Sequence, residues 1–82
     1  MNREIINRVE RVLQSLIPNY SRTLDILDLG YGNPEDWDSL TNFTILTAIE
    51  IEFGVNFTLE ELTDLRNVRD IIKRIEKSSY RV

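Results

Sequence analysis

The chain has 82 residues, 41% apolar and 29% charged, with a net charge of −4 and neither cysteine nor histidine. That length makes one domain, residues 1–82, able to bury only about 60% of the surface its unfolded chain exposes. The missing cysteines exclude disulfides and thiolate chemistry, the missing histidines remove the usual base at neutral pH and the commonest metal ligand, and no apolar run exceeds two residues, which excludes a membrane-spanning helix and a signal-peptide core.

The first element is a helix from Asn2 to Ile17. Apolar residues fall at helical spacing at Ile5, Val9, Val12, Leu13 and Leu16. Asn2 is its expected cap, with Glu4 in the first turn, and Pro18 turns Ile17 away from helical angles. Residues 18–37 hold both prolines and two of the three glycines, so they read as a long connection. Leu24, Ile26, Leu27 and Leu29 are its expected anchors, with room for one helical turn, and Gly30-Tyr31-Gly32-Asn33-Pro34 is its expected exposed part. Asp38 caps a second helix running to Phe53. Gly54 stands where a left-handed cap belongs, with Val55 as its apolar contact. Thr58-Leu59-Glu60-Glu61 has the capping-box pattern and opens a short third helix ending near Leu65. Asn67 caps a fourth, with Val68, Ile71, Ile72 and Ile75 on one side, fraying at Ser78-Ser79. Val55, Asn56 and Phe57 could form a strand, but nothing in the sequence would pair with it. The fold class is all-α: a four-helix bundle of three longer helices and one short one, with a long loop between the first two.

Charge is unevenly spread. Between Thr23 and Leu65 there are ten acids and no base, while the two ends hold all ten bases and four acids. The acidic middle disfavours nucleic acid and attracts basic partners. Its acids repel one another unless the basic ends neutralise them within the fold. Arg66, Arg69, Lys73 and Lys77 form a basic stripe, read as a solvated face opposite the apolar side of the last helix.

No residue pattern points to catalysis. No pair of carboxylates is singled out by spacing, Gly30-Tyr31-Gly32 lacks the rest of a phosphate-loop fingerprint, and no serine has an evident activator. No catalytic residue and no metal ligand is assigned. Trp37-Asp38-Ser39-Leu40 stands out at the start of the second helix. Asp38 and Ser39 need no explanation beyond capping, and Trp37 reads as an anchor pinning the end of the loop. Phe53 and Phe57 read as core.

The wider order gives the tripeptide meaning. Asp38-Ser39-Leu40 is followed by Ile45, Leu46, Ile49, Glu50, Glu52, Phe53 and Gly54, then by Phe57, Leu62, Leu65, Val68 and Ile71. From Asp38 to about Ile75 the chain resembles an acyl carrier protein, and the first helix fits the same plan. The resemblance implies that Ser39 is esterified by a 4′-phosphopantetheine arm from coenzyme A, whose thiol holds acyl groups as thioesters. It implies a phosphopantetheinyl transferase and acyl-loading and acyl-transfer enzymes as partners. Asp38, matching the family's aspartate, would contact the transferase's metal.

Two features depart from the family's pattern. A Leu-Gly pair usually stands almost directly before the tripeptide, whereas Leu29-Gly30 is separated from Asp38 by the seven residues Tyr31 to Trp37. Acids commonly line the first half of the second helix, and here that half reads Thr41, Asn42, Thr44 and Thr47, leaving only Glu50 and Glu52. A specialised pathway is therefore expected rather than ordinary fatty-acid synthesis. Partner contact is assigned to Asp38, Leu40, Thr47, Glu50 and Ile51. Leu40, Phe43, Thr47 and Ile51 form a second stripe on the helix, with Ile51 roughly 160° from the core residue Ile49. The chain is expected to be a cytoplasmic monomer without membrane insertion. An aminoacyl carrier is an alternative within the class, and an unmodified helical adaptor is an alternative outside it.

Overall fold

The computed structural model describes residues 2–17, 25–33, 35 and 37–78. Pro18, Leu24, Pro34 and Ser79, which figure in the expectations above, lie outside the described residues. Four α-helices follow one another: α1 (Arg3–Leu16), α2 (Ser39–Phe53), α3 (Leu59–Asp64) and α4 (Val68–Lys77). A single 3₁₀ turn, Ile26–Asp28, lies between α1 and α2. Among the described residues there are isolated β-bridges, Gly30 with Asn33 and with Asn67, and no strand; residues 55–57 belong to no ladder.

Local chemistry sets the boundaries. Asn2 accepts from the N–H groups of Glu4 and Ile5 and starts α1. Ile17, extended at φ −102° and ψ 113°, ends it. Gly54 closes α2 at φ 66°, a conformation that a side chain disfavours, and Val55 N–H donates to the Glu50 carbonyl at 3.2 Å. Thr58 and Glu61 satisfy each other's backbone N–H groups at the start of α3. Asn67 accepts from Asp70 N–H to start α4.

The core is apolar. α1 packs on α2 and α4, and α4 also meets the 3₁₀ turn. Ile5, Val9 and Leu13 from α1, Ile45, Leu46 and Ile49 from α2, and Val68, Ile71, Ile72 and Ile75 from α4 are buried. Phe53, Phe57 and Trp37 join them, and each is where the sequence pattern put it.

Two expectations are corrected by packing. Gly30 is buried, not exposed like Tyr31, Gly32 and Asn33. A Cβ at Gly30 would sit 2.7 Å from Asn67 Cβ and 2.8 Å from the Arg66 carbonyl oxygen, so the position requires glycine. Backbone bonds seal this close approach: Tyr31 N–H donates to the Arg66 carbonyl at 2.6 Å and Val68 N–H to the Leu29 carbonyl at 3.0 Å. Asn42 is the second correction. It is 4% exposed, not part of a polar outer face. Its Oδ1 accepts from Trp37 Nε1–H at 2.8 Å, and its Nδ2 donates to the Leu65 carbonyl at 3.0 Å.

The acidic middle is partly neutralised within the fold. Arg8 of α1 pairs with Glu52 at 2.7 Å and also donates to the Glu52 carbonyl. Its guanidinium lies 4.5 Å from the Phe53 ring centroid. Arg74 of α4 pairs with Glu61, and Arg69 lies 4.0 Å from Asp28. Arg69, Lys73 and Lys77 are exposed on α4 as expected, whereas Arg66 precedes that helix.

The Asn42 bridge generates a stability prediction. Asn42→Ala leaves the buried Trp37 N–H and the part-buried Leu65 carbonyl unmatched, at a cost of about 2 kcal/mol or more together. We expect Tm to fall by roughly 8 °C or more, since 1 kcal/mol moves the Tm of a domain this size by about 4–8 °C. In a Trp37→Phe background, which removes the indole donor, the same substitution should cost less, and equal costs in thermal melts would refute the bridge.

A second prediction concerns pH. The Arg74 hydrogen bond, and next the Thr58 N–H, hold the Glu61 carboxyl below its usual value. A depressed folded pKa contributes stability that is full above the ordinary glutamate value of about 4.3 and is lost as pH falls through the folded value. Glu61→Gln keeps the cap and removes the charge. It should lower Tm at pH 7, with the difference from wild type closing below about pH 4.

Candidate functional site

Ser39 is the first residue of α2 and is exposed. It is placed there by Asp38, whose backbone is extended and whose Oδ1 accepts from Thr41 N–H at 2.8 Å. The Asp38 carbonyl takes Asn42 N–H at 2.8 Å, which starts the helical ladder. The two residues before Ser39 are therefore tied down: Asp38 by its cap, and Trp37 by burial and the Asn42 bridge. Gly32 N–H also donates to the Trp37 carbonyl at 2.9 Å, fastening the loop to the same point.

The electrostatics suit a phosphate ester. The first N–H groups of a helix have no partner within it, and the dipole places partial positive charge at that end. An anion attached at Ser39 would lie against both. Hydrogen bonds from the Thr41 N–H and then the Thr41 hydroxyl hold the Asp38 carboxyl below the usual aspartate value, so it is ionised at neutral pH.

Ser39 borders a hollow of about 220 Å³ lined also by Tyr31, Asn42, Phe43, Leu62, Thr63 and Arg66. The Arg66 guanidinium lies 5.6 Å from the Tyr31 ring centroid, and its Nε–H donates to the Thr63 carbonyl at 2.9 Å. The hollow thus combines aromatic and aliphatic walls with one cation. An exposed hydroxyl, a helix N-terminus and a partly apolar recess fit a phosphopantetheine arm. A larger open trough of about 580 Å³ lies between residues 27–33 and α4, and Ser39 is not part of it.

The structure brings Asp38, Ser39 and Leu40 together at the start of α2. Leu40 is 74% exposed and Ile51, about three turns further along, is 80% exposed. Thr47 between them is half-buried, and its hydroxyl donates to the Phe43 carbonyl at 2.9 Å. Glu50 departs from its expected outward role. It is half-buried, and its Oε2 accepts from Phe57 N–H at 2.7 Å, so its carboxylate fastens the crossing from α2 to α3. Sequence reasoning missed Asn42 and Gly30. Asn42 had a signal: it lies at i−3, i−4 and i−7 from Ile45, Leu46 and Ile49, on the buried face.

The chain can be placed among known proteins. No protein-family model matches it. No solved structure matches it. It is 30% identical over 74 residues to the acyl carrier protein homolog of Mycoplasma genitalium, an alignment covering 89% of this chain and 86% of that protein. It is 28% identical over 76 residues to an acyl carrier protein of Rickettsia bellii, covering 90% of this chain and 94% of the relative.

The Asp38 cap yields a pH-dependent outcome. Asp38→Ala should lower Tm at neutral pH. Because the folded pKa is depressed, the cap's contribution is full above the ordinary aspartate value, about 3.9, and fades as pH falls through the folded one. Melts by circular dichroism should show the gap between variant and wild type closing in acid; a constant gap would separate the cap from its charge.

Proposed function

The chain belongs to the acyl carrier protein family, and from that premise we propose that it is a single carrier domain over residues 1–82, modified at Ser39 by 4′-phosphopantetheine. The observation that carries this reading is the exposed hydroxyl of Ser39 at the N-terminus of α2, directly after the Asp38 cap and the anchored Trp37. Ser39 Oγ becomes the ester oxygen of a phosphodiester. The arm supplies a thiol on which acyl groups travel as thioesters, which a chain without cysteine could not provide itself.

The chain's own residues orient the attachment. The N–H groups of the first turn of α2 favour the added phosphate. Asp38, ionised and next to Ser39, is in position to meet a transferase's metal ion. Phe43, Leu62 and Tyr31 offer apolar cover at the base of the arm, and Arg66 offers a charge. In this reading the protein carries and does not catalyse. Its partners are a phosphopantetheinyl transferase and enzymes that load and transfer acyl groups in a specialised pathway. Contact with them is assigned to Asp38, Leu40, Thr47 and Ile51, while Glu50 acts from behind by holding Phe57.

Incubation with coenzyme A, magnesium and a broad-specificity phosphopantetheinyl transferase should raise the intact mass by one phosphopantetheine group. Ser39→Ala should abolish the increase with helicity unchanged, since Ser39 is exposed and Asp38 supplies the cap. Wild-type protein that stays unmodified while a control carrier is converted would favour a helical adaptor that kept the fold and lost the arm.

A further inference from the structure

α2 is apolar on opposite faces. A helix of this kind is normally buried all round. Here one face, Ile45, Leu46, Ile49 and Phe53, is buried, while Leu40, Phe43 and Ile51 on the other are 74%, 53% and 80% exposed. At about 100° per residue, Leu40, Phe43, Thr44, Thr47 and Ile51 fall within an arc of about 100° opposite the core.

The polar atoms of this stripe are turned inward. Thr44 Oγ1–H donates to the Leu40 carbonyl at 3.0 Å and Thr47 Oγ1–H to the Phe43 carbonyl at 2.9 Å. Their hydroxyls are satisfied by their own helix. Both acids of α2 are also engaged. Glu50 accepts from Phe57 N–H, and Glu52 is paired with Arg8. Of the neighbouring charged groups, Asp38 is the cap, Glu60 and Asp64 belong to α3, and Arg66 lines the hollow beside Ser39 and Phe43. In an acidic protein, the helix that begins at Ser39 therefore presents an uncharged surface.

Resting on the reading that Ser39 is the attachment point, we propose that the transferase that attaches the arm grips α2 through an uncharged apolar contact centred on Leu40, Thr47 and Ile51. The occupant follows from position and charge. An enzyme that reaches Ser39 must cover the start of α2, and the stripe runs on from there. A basic docking surface would lose hydration over this face without gaining a paired carboxylate. A neutral apolar surface would bury Leu40 and Ile51 at no such cost. The contact selects partners by shape and apolarity, and it turns away those that read carriers through charge.

The test uses the full chain and the broad-specificity transferase as the probe enzyme, with an acidic control carrier alongside. Initial rates of mass increase give kcat/KM at two salt concentrations. Between about 0.1 M and 1 M salt the Debye length falls from about 10 Å to 3 Å, so charge-based docking is screened. Wild-type kcat/KM, relative to that salt range, should change by less than about twofold, while the control falls steeply. Ile51→Glu should lose about tenfold in kcat/KM, chiefly through KM, as expected for loss of one buried apolar anchor. Leu40→Glu, also exposed, provides an independent reading should Ile51→Glu misfold by circular dichroism.

A steep fall of the wild type with salt would overturn the proposal, as would unchanged or faster transfer to both Glu variants. A wild-type dimer in sedimentation that becomes monomeric with Ile51→Glu would assign the stripe to a second copy of this chain and also overturn it. Failure of the wild type to be modified at any salt is a different result. It removes the attachment reading itself.

Discussion

A buried indole N–H must be met by an acceptor, and in this chain the acceptor is Asn42 Oδ1. Asn42 is equally buried and must place its own amide, which it does on the Leu65 carbonyl. Three parts of the chain are thereby joined at one point: the end of the long loop, the first turn of α2, and the junction of α3 with α4. The loop is sewn to the same junction by backbone bonds from Tyr31 to Arg66 and from Val68 to Leu29. Gly30 permits that seam because a side chain there would strike Asn67. The direction of α2, and hence the position of Ser39, depends on this clamp.

The charges are disposed by a similar economy of position. Arg8 and Arg74 reach from the outer helices to Glu52 and Glu61, on either side of the connection between α2 and α3. Each guanidinium also covers a ring, Arg8 over Phe53 and Arg74 over Phe57 at 5.5 Å. These cations shield the aromatic edge of the core while they neutralise acids. The consequence for recognition lies on the opposite side of α2. With Glu50 and Glu52 turned to structural tasks, its outer face has only apolar groups and back-bonded threonines to offer a partner.

The family relationship and the geometry meet at Ser39. A carrier needs an attachment point that is exposed yet fixed, because a mobile anchor would add its own disorder to that of the arm. Here Ser39 is exposed, but the two residues before it are held by a buried ring and by a cap, and the helix begins at Ser39 itself. The hollow beside it is small, about 220 Å³, so on the proposed reading it would cover the base of an arm without the core having to open.

The helix ends were legible in the sequence because capping is local. Asn2, Asp38, Thr58 with Glu61, and Asn67 each bond a backbone group within three residues, and Gly54 answers a conformational demand of its own position. The apolar faces of α1 and α4 were legible from period alone. The sequence also marked Ile51 as pointing away from the core, since angle along a helix is set by counting. Tertiary structure alone decided the rest. Asn42 looked like one polar residue among threonines until Leu65, 23 positions away, supplied the partner that makes its burial tolerable. Gly30 looked like an open turn until Asn67 closed over it. Glu52 looked free until Arg8, 44 positions away, reached it. A partner within one turn is dictated by neighbours in the chain, whereas these partners exist only once the helices have packed.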